Sequence, residues 1–427
     1  VLDLNLIREN REAVEKALLK RMDHVDFSEL LAWDQKRREV QTSSENLKAR
    51  RNKVSAEIPV LQKQKAEVGH LIEEMKHVAA QIKELDEELN LMTAKINDHL
   101  CRLPNIPADD VVAGDKENNV VVKSFGQRPA FDFAPKNHVE LAELLDIVDY
   151  KRGVKLGGAG FWIYKNLGAR LEWALLNYFQ EEHIKDGYEF ILPPHILNYE
   201  CGFTAGQFPK FEEDIFAMKS DHARGFDFFL LPTAETALVN LHRDEILKEA
   251  DLPRKYFAYT PCYRKEAGGY RADEKGMIRG HQFNKVEIFQ YSLPEKSDAA
   301  LQEMIRKSER LVEGLGLHFQ VSKLAAKDCS ASMAKTFDIE VWLPSINGYK
   351  EVSSASNAHD YQARRGNMRF KREATGKNEL LHTLNASGLA TSRLFPAILE
   401  HYQQKDGSVV VPEVLRKWVG TDIIKPK

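Results

Sequence analysis

Between Phe257 and Tyr291 the chain runs FAYTPCYRKEAGGYRADEKGMIRGHQFNKVEIFQY. Alternating apolar and aromatic residues (Phe257, Tyr259) lead into Arg264-Lys265-Glu266. A stretch rich in glycine and charge follows, and Phe283, Val286, Ile288 and Tyr291 resume a strand-like pattern. The pattern predicts two antiparallel strands joined by a long basic loop. Residues two apart on a strand point the same way, so Arg264 and Glu266 are expected on one face, with Arg279 and Glu287 supplied by the returning strand. A guanidinium holds phosphate or carboxylate through a planar fork, and a carboxylate accepts from an amine or hydroxyl. Taken alone, the same residues also fit an ordinary salt-bridged sheet surface.

Three other stretches shift that balance: Thr233-Ala234-Glu235, the run KEVSSASN from Lys350 to Asn357, and the run HTLNASGLATSR from His382 to Arg393. With them in place the chain resembles the class II aminoacyl-tRNA synthetases, and closely the seryl-tRNA synthetases of bacterial or organellar type. Arg264-Lys265-Glu266 is similar to the second motif of that class. Gly388 to Arg393, leading into Leu394–Glu400, is similar to the third, and Gly187–Pro194 (GYEFILPP), after an apolar helix, to the first. The likeness spans the whole chain. It departs at Lys265, where the family usually has a small serine. It departs again from Gly269 to Lys275 (GYRADEK), in a loop that approaches the tRNA acceptor end; Arg271 and Lys275 are candidates to substitute there.

The resemblance implies ATP-dependent activation of serine to seryl-adenylate with release of pyrophosphate, then transfer of serine to the 3′ end of tRNA(Ser), and of tRNA(Sec) where the host has one. By carry-over, Arg264 meets the α-phosphate and the amino-acid carboxylate, Glu266 meets the adenine edge or braces Arg264, Arg393 meets the γ-phosphate, and Arg279 is a further clamp. Thr233, Ala234, Glu235, Arg264, Glu287 and Ser387 form the implied serine pocket. Lys265, Glu351, Val352, Ser353 and Ser354 join the arginines around ATP, and Glu351 with Ser354 would hold Mg²⁺. Such a pocket rejects alanine because its polar groups would be left unpaired, and threonine by size. The histidines His281, His382 and His401 are assigned no chemistry.

The expected fold is α+β: an N-terminal antiparallel two-helix coiled-coil arm, and a class II catalytic domain with a central antiparallel sheet of about six to seven strands flanked by helices. The boundaries are 1–103 for a tRNA-binding domain carrying the arm, 104–128 for a linker opened by Pro104 and Pro107, and 129–427 for the catalytic domain. Trp33, Val40, Leu47, Val54 and Leu61 recur every seven residues, and Val68, Leu71, Met75, Val78, Ile82, Leu85, Leu89, Met92 and Ile96 alternate spacings of three and four. That is a heptad seam, with the fold-back expected at Ile58-Pro59. Helices of ~35 residues would extend ~50 Å. Across residues 35–66 nine Lys or Arg stand against three Glu, while across 67–100 eight acids stand against three Lys. Paired helices would neutralise one another, yet Lys48, Arg50, Arg51 and Lys53 remain candidates to grip tRNA phosphates.

The overall balance of 61 Lys+Arg against 64 Asp+Glu argues neither for nor against a polyanion. Four scattered cysteines without CxxC spacing argue against a zinc site or disulfide framework. No apolar run reaches the ~20 residues of a membrane span. A homodimer is implied by the family, through the helix over 166–185 and the strand ending at Pro194. A cytoplasmic location is expected, or an organellar one after removal of a presequence. The rival readings are a ligase that loads carrier proteins and a non-catalytic paralogue. The arm counts against the first, and the joint presence of Arg264, Glu266, Glu287, Glu351 and Arg393 against the second.

Overall fold

The computed structural model describes residues 1–266 and 276–427. The chain divides into two compact units, Val1–Pro104 and Asn105–Lys427. Arg271 and Lys275 lie outside the described residues.

In the first unit two short helices, Leu4–Glu9 and Arg11–Leu18, precede the long helices α1 (Ser28–Lys63) and α2 (Gly69–Arg102), which pack against each other. Every residue of both heptad series is at least partly buried, and Val40, Val68, Val78, Ile82 and Ile96 fully so. The repeat therefore marks the buried seam, as period-3.5 patterning requires. The expected reversal at Pro59 is corrected: α1 continues through Pro59 to Lys63. Ser55, whose carbonyl would have received the missing N–H, is exposed, so water can satisfy it. The helix stops four residues later. Lys65 takes a left-handed φ of 57°, its N–H donates to Gln62 O at 3.0 Å, and Ala66 N–H donates to Leu61 O at 3.0 Å. That is a Schellman cap with lysine at the position glycine usually fills.

Charge pairs join the arm helices. Lys36 meets Glu88 at 3.4 Å, Lys48 meets Asp86 at 2.8 Å, and Arg50 meets Glu74. Near the start of α1, buried Asp34 accepts from Arg8 and Arg37 at 2.9 and 2.8 Å and from Arg38 at 3.2 Å. Burial pushes this carboxyl up, but the Arg37 and Arg8 hydrogen bonds outweigh it and leave it below the usual range.

The second unit is built on one eight-stranded sheet. Its strands are β1 (Val120–Phe125), β2 (Glu189–Ile191), β3 (Arg254–Tyr263), β4 (Gln282–Ser292), β5 (Phe319–Lys323), β6 (Lys335–Leu343), β7 (Gly348–His359) and β8 (His382–Ala390). Their order is β1-β5-β6-β7-β8-β4-β3-β2, antiparallel throughout except β2 on β3. The sheet exceeds the expected six to seven strands because of its short edges. β1 lies within residues 104–128, read above as linker; it pairs with β5 on either side of a bulge at Val122, although all six of its residues are exposed.

Helices α3 (Leu167–Lys185), α4 (Ser297–Gly314) and α5 (Thr391–Tyr402) pack on the sheet and share its main core with Phe257, Ile288, Phe319, Ile339, Val352 and Leu384. Each such buried side chain contributes roughly 1.5–3 kcal/mol. Three polar ties fix α3 to strands β4 and β8 and to the start of α5. His183 Nε2 meets Gly388 O at 2.5 Å, and the Glu172 carboxylate accepts from Asn284 Nδ2 at 2.8 Å and Thr391 Oγ1 at 2.5 Å. Burial lowers His183 to about 4, so the neutral ring donates. Burial also lifts Glu172 to about 7.

Candidate active site

Two irregularities in strand pairing decide which side chains meet. Glu351 pairs with Glu340, Ser353 with Ile339 and Ser354 with Asp338, which leaves Val352 as an extra residue in β7. On a regular strand a spacing of three puts two residues on opposite faces; the bulge at Val352 puts Glu351 and Ser354 on the same one, beside Glu340 and Asp338. Ser353 faces the other way and donates to Ser387 O at 2.6 Å, as does Ser308 of α4 at 3.0 Å. A second bulge lies between β4 and β8, where Glu287 pairs with Ser387 but Lys285 with Ala390.

The faces so assembled line a cavity of about 510 Å³. Thr233, Glu235, Arg264, Arg279, Glu287, Glu351, Ser354, Ser387 and Arg393 all reach it. A smaller adjoining recess of about 80 Å³ shares Arg264, Arg279, Glu351, Ser387 and Arg393 and adds Glu266 and Val352. Ala234, Lys265 and Ser353 line neither: Ala234 is buried in a second core beside Leu238 and Phe289, and Lys265 gives its N–H to Asp214 O.

The cations converge from separate elements. Arg393, in the first turn of α5, donates to Glu351 O at 2.8 Å and Ile278 O at 3.2 Å, and its guanidinium stands 3.5 Å from the Glu351 carboxylate. Arg264 donates to Pro232 O at 3.3 Å and lies over the Phe283 ring at 5.1 Å. Its expected partnership is corrected. The β3–β4 ladder ends at Tyr263, and Glu266 takes a left-handed φ of 49°, so the alternation argument lapses there. Glu266 pairs with Arg279 instead.

Acids share the cavity with these arginines. Glu235 accepts from Gln362 Nε2 at 2.8 Å; burial, reinforced by Glu287, raises it to about 7. Burial, reinforced by Glu351, holds Asp338 well above the usual carboxylate range. Its Oδ1 has no hydrogen-bond partner among the described residues.

Residues 216–402 match the tRNA synthetase class II core domain (G, H, P, S and T), and residues 1–107 match the seryl-tRNA synthetase N-terminal domain. "Serine--tRNA ligase 2" of Clostridium acetobutylicum is 64% identical over 423 residues, covering 99% of this chain and 100% of that protein. The chain belongs to the seryl-tRNA synthetase family. Serine--tRNA ligase of Geobacter sp. (strain M21) is 48% identical over 98% of this chain and 99% of its own length. Seryl-tRNA synthetase from Pyrococcus horikoshii, solved in complex with ATP, superposes with a TM-score of 0.93 at 35% identity and covers 100% of both chains.

Sequence reasoning on this seryl-tRNA synthetase missed Lys285. It is buried, and its ammonium lies 2.5 Å from Glu287 Oε2 and 2.6 Å from Thr233 Oγ1. The signal was present, since Lys285 and Glu287 are two apart on a strand, as was argued for Arg264 and Glu266. Asp338 and Glu340 were also missed; they become visible only once the Val352 bulge fixes the register. No helix among the described residues is long and apolar enough to cross a membrane.

Proposed function

We propose that the cavity binds serine against its acids and the ATP phosphates against its arginines, joins them as seryl-adenylate, and then passes serine to the 3′ end of a tRNA. The observation that carries this is the meeting of two opposed sets of groups in one cavity. Thr233, Glu235, Glu287 and Ser387 accept from an ammonium and a hydroxyl, and Arg264, Arg279 and Arg393 face an anion.

Serine's ammonium sits among Thr233, Glu235 and Glu287, and its hydroxyl pairs with Ser387. Arg264 turns the carboxylate toward the α-phosphate, Arg279, held by Glu266, steadies the phosphates, and Arg393 takes charge on the departing pyrophosphate. Such fixed donors act on charge that develops only in the transition state, without a general base. Glu351 and Ser354 offer oxygen donors beside Asp338, whose carboxyl is held above the usual range by burial and by Glu351, a crowding of acids that suits Mg²⁺. No group of three or more His, Cys, Asp or Glu able to hold a metal occurs among the described residues, which suits a cation carried largely by phosphates and water. When bound, Mg²⁺ would be held by Glu351 and Ser354 and would supply positive charge against the ATP phosphates.

Acceptors are tRNA(Ser), and tRNA(Sec) where one exists, gripped by arm phosphate contacts. Lys48 and Arg50 are engaged across the arm, whereas Arg51 and Lys53 have no ion pair among the described residues and are the better candidates. A homodimer is supported by the β2 sheet edge with Phe190 and Leu192 exposed beside it, and by exposed Trp173 of α3. The location proposed is the cytoplasm.

The test is ATP–pyrophosphate exchange with serine, threonine, alanine and cysteine, followed by charging of tRNA. Exchange with serine alone and charging of tRNA(Ser) are the expected results; absence of exchange with all four overturns the reading.

A further inference from the structure

Lys285 raises a question that the serine assignment creates. Its Nζ occupies the space between Thr233 Oγ1 and Glu287 Oε2, at 2.6 and 2.5 Å, which are two of the groups assigned to the substrate's ammonium. Two ammonium groups cannot share one such site out of water without strong repulsion. Lys285 also lines both the larger cavity and the smaller recess, in company with Arg264, Arg279 and Arg393, so its charge is placed where the two meet. A compact charge on a flexible four-carbon stem is what movement between them needs, and arginine's rigid fork would not supply it.

We propose that the Lys285 ammonium is a stand-in for the substrate's own: it neutralises the amino-group site while that site is empty, and serine displaces it onto the carboxylate and α-phosphoryl oxygens, where it serves as a catalytic residue. This rests on the serine reading above and extends it. In the empty protein Lys285 keeps Glu287 from being buried beside Glu235 without a cation. Once displaced, it faces the reacting atoms. A serine carboxylate oxygen bonds to the α-phosphorus as the bond from that phosphorus to the bridging oxygen breaks, and the electron pair leaves on pyrophosphate. Lys285 keeps its proton throughout and contributes only positive charge. The charge that favours activation thus arrives only when an amino acid is in place, and ATP alone meets a site that lacks it.

The test compares wild type, Lys285→Gln and Lys285→Arg with ethanolamine, which has the ammonium and hydroxyl of serine but no carboxylate, as inhibitor of serine-dependent pyrophosphate exchange. In Lys285→Gln the internal competitor is gone, so ethanolamine is expected to inhibit at about 10-fold lower concentration. The kcat for exchange is expected to fall about 100-fold, and Lys285→Arg, whose fork cannot make the movement, is expected not to restore it. A merely structural role would weaken ethanolamine and kcat together, and that result overturns the proposal. A structure of the wild type with a non-hydrolysable seryl-adenylate analogue decides independently of folding defects. Nζ on the carbonyl or α-phosphoryl oxygen supports the proposal, and Nζ still on Glu287 overturns it. An unchanged serine KM in Glu287→Gln overturns the serine assignment itself, and is recognised because Lys285 is intact in that variant.

Discussion

On the arm, Lys36, Lys48 and Arg50 of α1 meet Glu88, Asp86 and Glu74 of α2 at positions open to water; in the cavity, Lys285 meets Glu287 out of it. The residue types are the same and the consequences are opposite. Solvated pairs gain little and are screened by salt, so the arm's acidic helix chiefly offsets the basic one and leaves a few cations over. Buried groups cannot be screened, so their neighbours set their protonation and each removal leaves something uncompensated. Energetic weight therefore belongs to the cavity and reach belongs to the arm.

The sharpest way to break this contrast is to remove one arginine from each region. Arg393→Ala is expected to lower kcat for pyrophosphate exchange by about 1000-fold, the scale of losing a fixed transition-state donor. Arg51→Ala should leave exchange untouched, while weakening tRNA binding and reducing the magnitude of its salt dependence by about one phosphate contact. Comparable losses of exchange in both would erase the distinction.

A second test uses pH. Glu235 must be ionised to hold an ammonium, and its carboxyl sits at about 7. Serine KM is expected to fall as pH rises through that value, and Glu235→Gln should abolish the dependence while raising KM about 10-fold or more. A KM profile indifferent to Glu235 would remove that residue from the site.

Buried acids extend the comparison to stability. Asp34, surrounded by arginines, is held below the usual range. Its contribution is present above the unfolded carboxylate pKa of about 4 and is lost as pH falls through the folded value. Glu172 faces no cation and is raised to about 7, so its contribution is present below its unfolded pKa and is lost as pH rises through about 7. Asp34→Asn is expected to cost about 2 kcal/mol at neutral pH. Glu172→Gln should be nearly neutral there and should flatten the loss on the alkaline side. Thermal unfolding across pH measures both. The smallest effect belongs to the arm's tip: Lys65→Gly relieves a left-handed φ and should add up to about 1 kcal/mol of local stability, read by amide exchange around Gln62–Ala66.

Much of the arm was legible because a coiled coil writes its contacts as a period, and only the fold-back was misplaced, by giving Pro59 more authority than an exposed final turn allows. Within the body the hairpin from Phe257 to Tyr291 was legible as alternation, but alternation fails where a ladder stops, and Glu266 lies beyond that point. The composition of 104–128 hid β1, since a strand exposed on both faces carries no burial signal. The partners of Glu351 come from β6, and nothing local to KEVSS announces Asp338 or Glu340. Lys285, between Asn284 and Val286, was overlooked although it sits two positions from the glutamate that was chosen.

The extra residue at Val352 bears on how such sites are found. A search for paired ligands on strands would look for even spacings and discard Glu351 with Ser354, which stand three apart. Allowing one odd spacing across a buried apolar residue retains the pair and, through the shifted ladder, returns Asp338 and Glu340 with it. The bulge thus acts as a silent character in the sequence: it adds no functional group of its own, and it changes which of its neighbours can be read together.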